Sequence, residues 1–224
     1  MEIKNFTINS IDLNTCNLYS FVNPYSYYLI KGSEYERNIE YFADGILLVV
    51  LYNLFSYKKI ERYSFDFTSL ANVICKFSED NNLKVSLIGG KEEEINAAKL
   101  VLEKKFPNIS IPFIHHGYIS ECEKNVLDML AEVKPDIIIC GMGTPMQEKF
   151  LLSCKNYVPS LKLGFTCGGF LSQISGNENY FHPVFDKLHL RWLQRFLRHG
   201  YVRKRILIDY PIFVLKFLKE KLFS

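Results

Sequence analysis

The chain has 224 residues, 48% of them hydrophobic and 23% charged, with a formal net charge of +3 at pH 7. That length suits one domain, or one domain with an appendage, around a buried core, and the balance excludes a disordered or low-complexity chain. The net charge hides an asymmetry: from Asp186 to Ser224 ten Lys/Arg stand against three acids, +7, which leaves +3 minus +7, or −4, for the rest. A basic tail on a mildly acidic body is suited to meet something anionic.

The six cysteines (Cys16, Cys75, Cys122, Cys140, Cys154, Cys167) show no Cys-x-x-Cys and no zinc spacing, so no metal site is expected and a reducing, cytoplasmic compartment is. Residues 1–10 lack the apolar core of a signal peptide. No run reaches the ~18 apolar residues of a spanning helix; Ile206 to Leu218 is interrupted by Asp209, Pro211 and Lys216.

In chain order, Leu18 to Val22 reads as a strand and Tyr25 to Ile30 as packed aromatic chain. Glu34 to Phe42 reads as a short helix leading to Ala43-Asp44-Gly45. Ile46 to Leu51 is a continuous apolar run, a strand or the start of a buried helix, which periodicity does not separate. An Asp before Gly is a turn former. Asp66 suits a helix N-cap, with a helix running to about Asp80. Leu83 to Ile88 is a strand ending at Gly89-Gly90, and Glu92 to Lys105 a helix with acids first and lysines last. That strand, turn and helix form one possible phosphate cradle, without a dinucleotide or Walker fingerprint. Ile109 to Ile114 is a strand, His115-His116 lacks metal partners at ligand spacing, and Ser120 to Val133 is an amphipathic helix.

The stretch from Pro135 to Phe150, PDIIICGMGTPMQEKF, carries the most chemistry. It reads as a buried strand (Ile137 to Cys140), a glycine turn (Gly141, Met142, Gly143) and a helix N-capped by Thr144 with Pro145 first. Gln147 stands at capping-box spacing. Such a turn offers backbone N–H groups and a positive dipole end to an anion such as a diphosphate. Leu161 to Phe165 is the next strand, and Gly168-Gly169 at its exit permit close backbone approach to a ligand. In the tail, Arg191, Arg195 and Arg198 share a helix face. Basic residues beside apolar ones suit an interfacial membrane anchor, a helix pair packed on the core, or an oligomer interface.

The block GMGTPMQEKF resembles the G-x-G-x-P-x-Q-E signature of the WecG/TagA/CpsF glycosyltransferases, glycosyltransferase family 26. Asp44-Gly45, Gly117-Tyr118, the run from Thr166 to Gly176 and the tail around Arg191, Trp192 and Arg195 resemble that family's other blocks, in the family's order. The resemblance implies transfer of a sugar from a UDP-sugar to a lipid-diphosphate-linked sugar, in bacterial surface polysaccharide synthesis at the inner face of the membrane. It implies inversion, with Asp44 as general base and Asn23 near it. Gly141, Gly143, Thr144 and Gln147 would bind the donor, with Gly117 and Tyr118 at the edge of its cleft; Gly45, Gly89, Gly90, Gly168 and Gly169 are further candidates for substrate binding. Arg195 and Arg205 would clamp a diphosphate, the tail would sit on an anionic membrane, and no cofactor is implied. Glu148 is a weaker choice, since it also reads as a first-turn helix charge. Ser172 stands where many members carry Asp, and Phe181-His182-Pro183 where many have Arg-Ala-Pro. Arg191 and Gly200 replace a common Glu and Pro.

Alternating strands and helices predict an α/β, Rossmann-like, mostly parallel sheet with helices on both faces over residues 1–180. Residues 181–224 form a helical, basic and amphipathic appendage. A non-catalytic nucleotide-sugar-binding protein stays open as an alternative. An NAD-dependent epimerase or reductase is opposed by the missing dinucleotide glycines. Nucleic acid is not an expected partner; a homo-oligomer is a possible one.

Overall fold

A computed structural model of the chain describes residues 1–176 and 200–223. Six strands form one sheet: β1 (Asn17–Val22), β2 (Glu40–Ala43), β3 (Lys84–Gly89), β4 (Ser110–His115), β5 (Ile137–Gly141) and β6 (Leu163–Thr166), in the order β2-β1-β6-β5-β3-β4. Every pairing is parallel, so all six carboxyl ends lie along one edge. The helices are α1 (Tyr27–Ile30), α2 (Ile46–Phe55), α3 (Leu70–Asp80), α4 (Glu92–Lys105), α5 (Glu123–Val133), α6 (Met146–Tyr157), α7 (Phe170–Gly176), α8 (Gly200–Lys204) and α9 (Tyr210–Phe223), with a π-helical turn at Arg205–Asp209 between the last two.

The pleat sorts side chains to two cores. Leu18, Val22, Tyr41, Ile138 and Cys140 meet α2, α5, α6 and α9 on one face. Tyr19, Phe21, Phe42, Val85, Leu87, Ile139 and Phe165 meet α3, α4 and α7 on the other. The second core explains much of the high aromatic content. Tyr19 stacks on Phe42 and Phe165 across three adjacent strands, with ring centroids 5.8 and 5.0 Å apart. Such pairs add to the stabilisation from burial alone.

Three local expectations are corrected. The helix expected from Glu34 to Phe42 is a 3₁₀ turn at Glu34–Arg37 followed by β2, because Tyr41 and Phe42 pair with β1 and enter opposite cores. Asp66 is not the N-cap of α3; Ser69 holds that position, and Asp66 accepts from the Thr68 N–H at 2.8 Å to close the preceding turn. Thr144 does not cap α6, whose N-cap is Pro145. The Thr144 hydroxyl donates to Glu148 Oε1 instead, at 3.1 Å. The ambiguous run after Gly45 is helical, as α2.

The described part of the appendage is seated on the body. Phe213 and Phe217 of α9 are buried against Tyr27, at 5.5 and 5.7 Å between ring centroids. Glu220 joins Lys31 in a salt bridge and accepts from the Tyr28 hydroxyl. The boundary expected between residues 180 and 181 lies outside the described residues.

Candidate active site

The direction in which each strand's helix leaves the sheet builds the site. The helix after β5, α6, goes to one face, while α4 after β3 and α7 after β6 go to the other. Neighbouring turns therefore diverge and leave a crevice over the carboxyl end of β5, the switch-point geometry at which α/β sheets hold ligands. Six strands spaced by ~4.8 Å make this edge roughly 24 Å long.

The turns fit one another without side chains. A Cβ on Gly141 would lie 2.5 Å from the Gly168 carbonyl oxygen and 2.8 Å from Cys167 Sγ, so only glycine lets the β5 and β6 turns close. Gly89 packs on Gly141 and Gly117 on Gly89 and Met142, and the Gly117 N–H donates to the Gly90 carbonyl at 2.9 Å. Gly168 has φ +54 with open space where a Cβ would point, so its backbone can approach a ligand in a conformation other residues resist. Gly143 faces open space as well, and Gly169 follows Gly168 beside Gln173.

A buried polar network lies beneath these turns. Gln147 is 3% exposed and Glu148 0%. Gln147 Oε1 accepts from the Gly168 N–H at 3.2 Å, and its Nε2 donates to Thr144 Oγ1 at 3.2 Å and Glu148 Oε1 at 3.1 Å. Glu148 Oε1 also accepts from Ser20 Oγ at 2.8 Å, and Ser20 accepts from Thr166 Oγ1 at 3.0 Å. Gln147 thus ties the β5 turn to the β6 turn. Glu148 gathers donors from β1, the β5 turn and α6 on one oxygen, while Oε2 has no partner among the described residues. A buried polar atom left so carries a free-energy penalty unless a water or a ligand reaches it.

Toward the β2 end stands Asp44, its side chain 32% exposed, with Oδ1 3.0 Å from the Arg62 guanidinium. Arg62 is brought there by an isolated parallel bridge between Ala43 and Arg62 and by the Tyr63 N–H donating to the Ala43 carbonyl at 2.8 Å. It also contacts Ser64 Oγ at 3.1 Å and Asp66 Oδ2 at 3.9 Å. Burial pushes the Asp66 carboxyl up, but hydrogen bonds from Thr68 and Ser64 and the Arg62 charge outweigh it and hold the group below the ordinary aspartate value. Asp44 Oδ2 has no hydrogen bond among the described residues. Asn23, beside Gly45, accepts the Tyr25 and Ser26 N–H groups on Oδ1 at 3.0 and 3.2 Å. Arg205 stacks its guanidinium 4.0 Å from the centre of the Tyr25 ring, next to Asn23. Arg195 lies outside the described residues.

At the far end, past β3, His116 and Tyr118 follow β4, with Tyr118 exposed. The cradle expected at Gly89-Gly90 is occupied differently: Glu94 Oε2 accepts the Lys91 N–H at 2.8 Å and the Ser172 hydroxyl at 2.8 Å. Ser172, one of the departures noted above, thus joins α7 to α4. Among the described residues no group of three or more His, Cys, Asp or Glu is placed to hold a metal ion.

The residues that sequence reading passed over are Arg62, Ser20 and Thr166. Arg62 is a lone arginine between Glu61 and Tyr63, without periodicity or motif to mark it. Ser20 stands between Tyr19 and Phe21, and Thr166 follows Phe165 at the end of its strand; a polar residue set into an apolar run is a signal that can be found.

An all-parallel sheet with glycine turns at its switch point, a part-exposed carboxylate toward one end and His116 and Tyr118 toward the other has the architecture of an α/β protein that holds its ligand at the carboxyl edge. The model of the glycosyl transferase WecG/TagA/CpsF family matches residues 7–224, and the chain belongs to that family of glycosyltransferases. It is 43% identical over 206 residues, 91% of this chain and 86% of the relative, to the UDP-Gal:alpha-D-GlcNAc-diphosphoundecaprenol beta-1,4-galactosyltransferase of Shigella boydii. It is 35% identical over 148 residues, 65% of this chain and 56% of the relative, to the N-acetylglucosaminyldiphosphoundecaprenol N-acetyl-beta-D-mannosaminyltransferase of Staphylococcus aureus strain MW2.

Proposed function

We propose that the protein transfers a sugar from a UDP-sugar to a sugar carried on a polyprenyl diphosphate, in the synthesis of a bacterial surface polysaccharide. The observation that carries this reading is the ordering of chemistry along the carboxyl edge. An extended UDP-sugar needs a base shelf, a diphosphate seat and a reacting end in line. His116 and Tyr118, then the Gly141–Gly143 and Gly168 turns, then Asn23 and Asp44 follow that order across the sheet.

Asp44 is the general base. Arg62 holds Oδ1, and Oδ2 is left to take the proton from the acceptor hydroxyl as that oxygen attacks the anomeric carbon. The bond from that carbon to the diphosphate breaks in the same displacement, UDP leaves, and the anomeric configuration inverts. Sugar is α-linked in UDP-galactose, and the two relatives are named for β products, which supports inversion. The diphosphate is seated over Gly143 and Gly168, where no Cβ would stand in the way and the Gly168 N–H is held by Gln147, and Arg205 adds a cation from beside Tyr25. Gln147 acts by holding the two turns together, since its amide is buried and fully engaged. Arg195 would join Arg205 on a diphosphate. The basic tail meets an anionic membrane at its inner face, where the acceptor lipid resides.

The test is a panel of UDP-sugars, led by UDP-galactose, with a short-chain GlcNAc-diphosphate lipid as acceptor. The reading expects acceptor-dependent UDP release from one donor and a β-linked disaccharide by NMR. A retained α linkage, or a donor that binds without turnover even with vesicles present, contradicts it.

A further inference from the structure

Helix α2 is uncharged on every side. Its sequence, ILLVVLYNLF, holds no charged residue. Leu48, Val49 and Leu51 are buried in the core, yet Ile46, Val50 and Leu54 are 65%, 49% and 69% exposed. Their i, i+4, i+8 spacing makes one stripe about 12 Å long. The outer face of a helix in water normally carries charge. The stripe begins two residues after Asp44 and runs to Tyr57, which is fully exposed. At that end Phe55 meets Phe217 of α9, 6.2 Å between ring centroids, and α9 adds exposed Ile212, Leu215, Leu222 and Phe223.

The charge around this surface selects the occupant. Lys58 and Lys59 follow α2 directly, and Lys204, Lys216, Lys219 and Lys221 are exposed on α8 and α9. Residues 200–223 carry six Lys/Arg against two acids, and one of those acids, Glu220, is paired with Lys31. A second copy of the chain, packed on this face about a two-fold axis, would set lysines against lysines. A bilayer with anionic headgroups answers both features, taking apolar side chains into the acyl boundary and attracting the cations around them.

We propose that α2, joined to α9, is the face that seats this protein on an anionic bilayer, with Ile46, Val50 and Leu54 entering it and the Asp44 turn held at headgroup depth. The inference rests on the lipid-diphosphate acceptor reading for its purpose: a polyprenyl diphosphate presents its sugar at that depth.

The experiment is co-sedimentation of the full chain with phosphatidylcholine vesicles, with and without phosphatidylglycerol, for wild type, Val50→Asp/Leu54→Asp and the milder Val50→Ser/Leu54→Ser. Transfer to a short-chain soluble acceptor and light-scattering mass are measured alongside. The expected result is binding to the anionic vesicles alone, weakened about tenfold or more in the variants, with soluble-acceptor transfer unchanged. Wild type that ignores anionic vesicles, variants that bind as wild type does, or a wild-type dimer that the substitutions turn into monomers would each overturn the proposal. Should no donor be turned over while the variants still lose vesicle binding and keep the wild-type circular dichroism and melting curve, the surface stands and the transferase reading falls.

Discussion

Asp44 and Arg62 are eighteen residues apart in sequence, and a single parallel bridge beside β2 brings them to 3.0 Å. Arg62 fixes one carboxylate oxygen and leaves the other without a hydrogen bond among the described residues, which suits the general-base role proposed for Asp44. Asp44→Asn is expected to lower kcat by about 10²-fold or more while UDP-sugar affinity is kept, measured by steady-state kinetics and calorimetry. Glu148 lies beneath the turns and acts on geometry. Its removal in Glu148→Ala strands the Ser20, Thr144 and Gln147 donors in a buried site, at about 1–3 kcal/mol for a stranded donor. A urea melt will read that loss, and KM for the donor will rise as Gln147 ceases to hold Gly168. The signature residues were legible because turns need particular residue types: only glycine fits where Gly141 meets Gly168. Arg62 was not legible, because nothing local distinguishes an arginine whose partner comes from another strand.

At the scale of elements, α4 and β3 were readable almost to their ends, since acids, lysines and period follow the helix dipole and the pleat. The segment at β2 was not. Tyr41 and Phe42 follow a polar stretch that suits a helix, and only pairing with β1 makes them a strand. The capping box at Thr144 failed for a related reason. Glu148, buried by tertiary packing, draws the hydroxyl and the amide that would have capped the helix. Helix α9 depends on two rings, Phe213 and Phe217, that lie buried among Tyr27 and Tyr28. Phe217→Ala is expected to cost about 3–5 kcal/mol and to expose α9 to limited proteolysis, followed by urea midpoint and by mass spectrometry of the first fragments. Cys75 and Cys167 are buried, which pushes both thiols up to about 12. Burial likewise raises Cys140 and Cys154 well above the ordinary thiol value. All four are expected to stay unmodified by a thiol reagent at pH 8 until the protein unfolds, as thiol titration with and without denaturant will show.

For the whole molecule, pH reports how charge is tied into the fold. Asp66 is held below its ordinary value, as described, and so is Glu220. Burial pushes the Glu220 carboxyl up, but Lys31 and the Tyr28 hydroxyl outweigh it. A carboxyl depressed in the folded state stabilises above its unfolded pKa and loses that contribution as pH falls through the folded one. The urea midpoint is therefore expected to stay level from about pH 7 to about pH 5 and to fall below about pH 4. Asp66→Asn should flatten part of that fall. No helix among the described residues is long and apolar enough to cross a membrane. The alternation of strands and helices made the parallel sheet legible, and with it the carboxyl edge at which such sheets hold ligands. Strand order was not legible, because it depends on which crossovers pack, and it is strand order that places Asp44 at one end of the crevice and Tyr118 at the other.

The central claim is that Asp44 removes the acceptor's proton during sugar transfer. Acceptor-dependent UDP release under single-turnover conditions, with wild type and Asp44→Asn side by side at saturating UDP-galactose or whichever donor the panel selects, tests it most directly. The account predicts a burst of one UDP per wild-type chain and a rate lower by about 10²-fold or more in the variant, with the donor bound equally by both. An Asp44→Asn protein that releases UDP at the wild-type rate would contradict it and return Asp44 to the role of a turn residue.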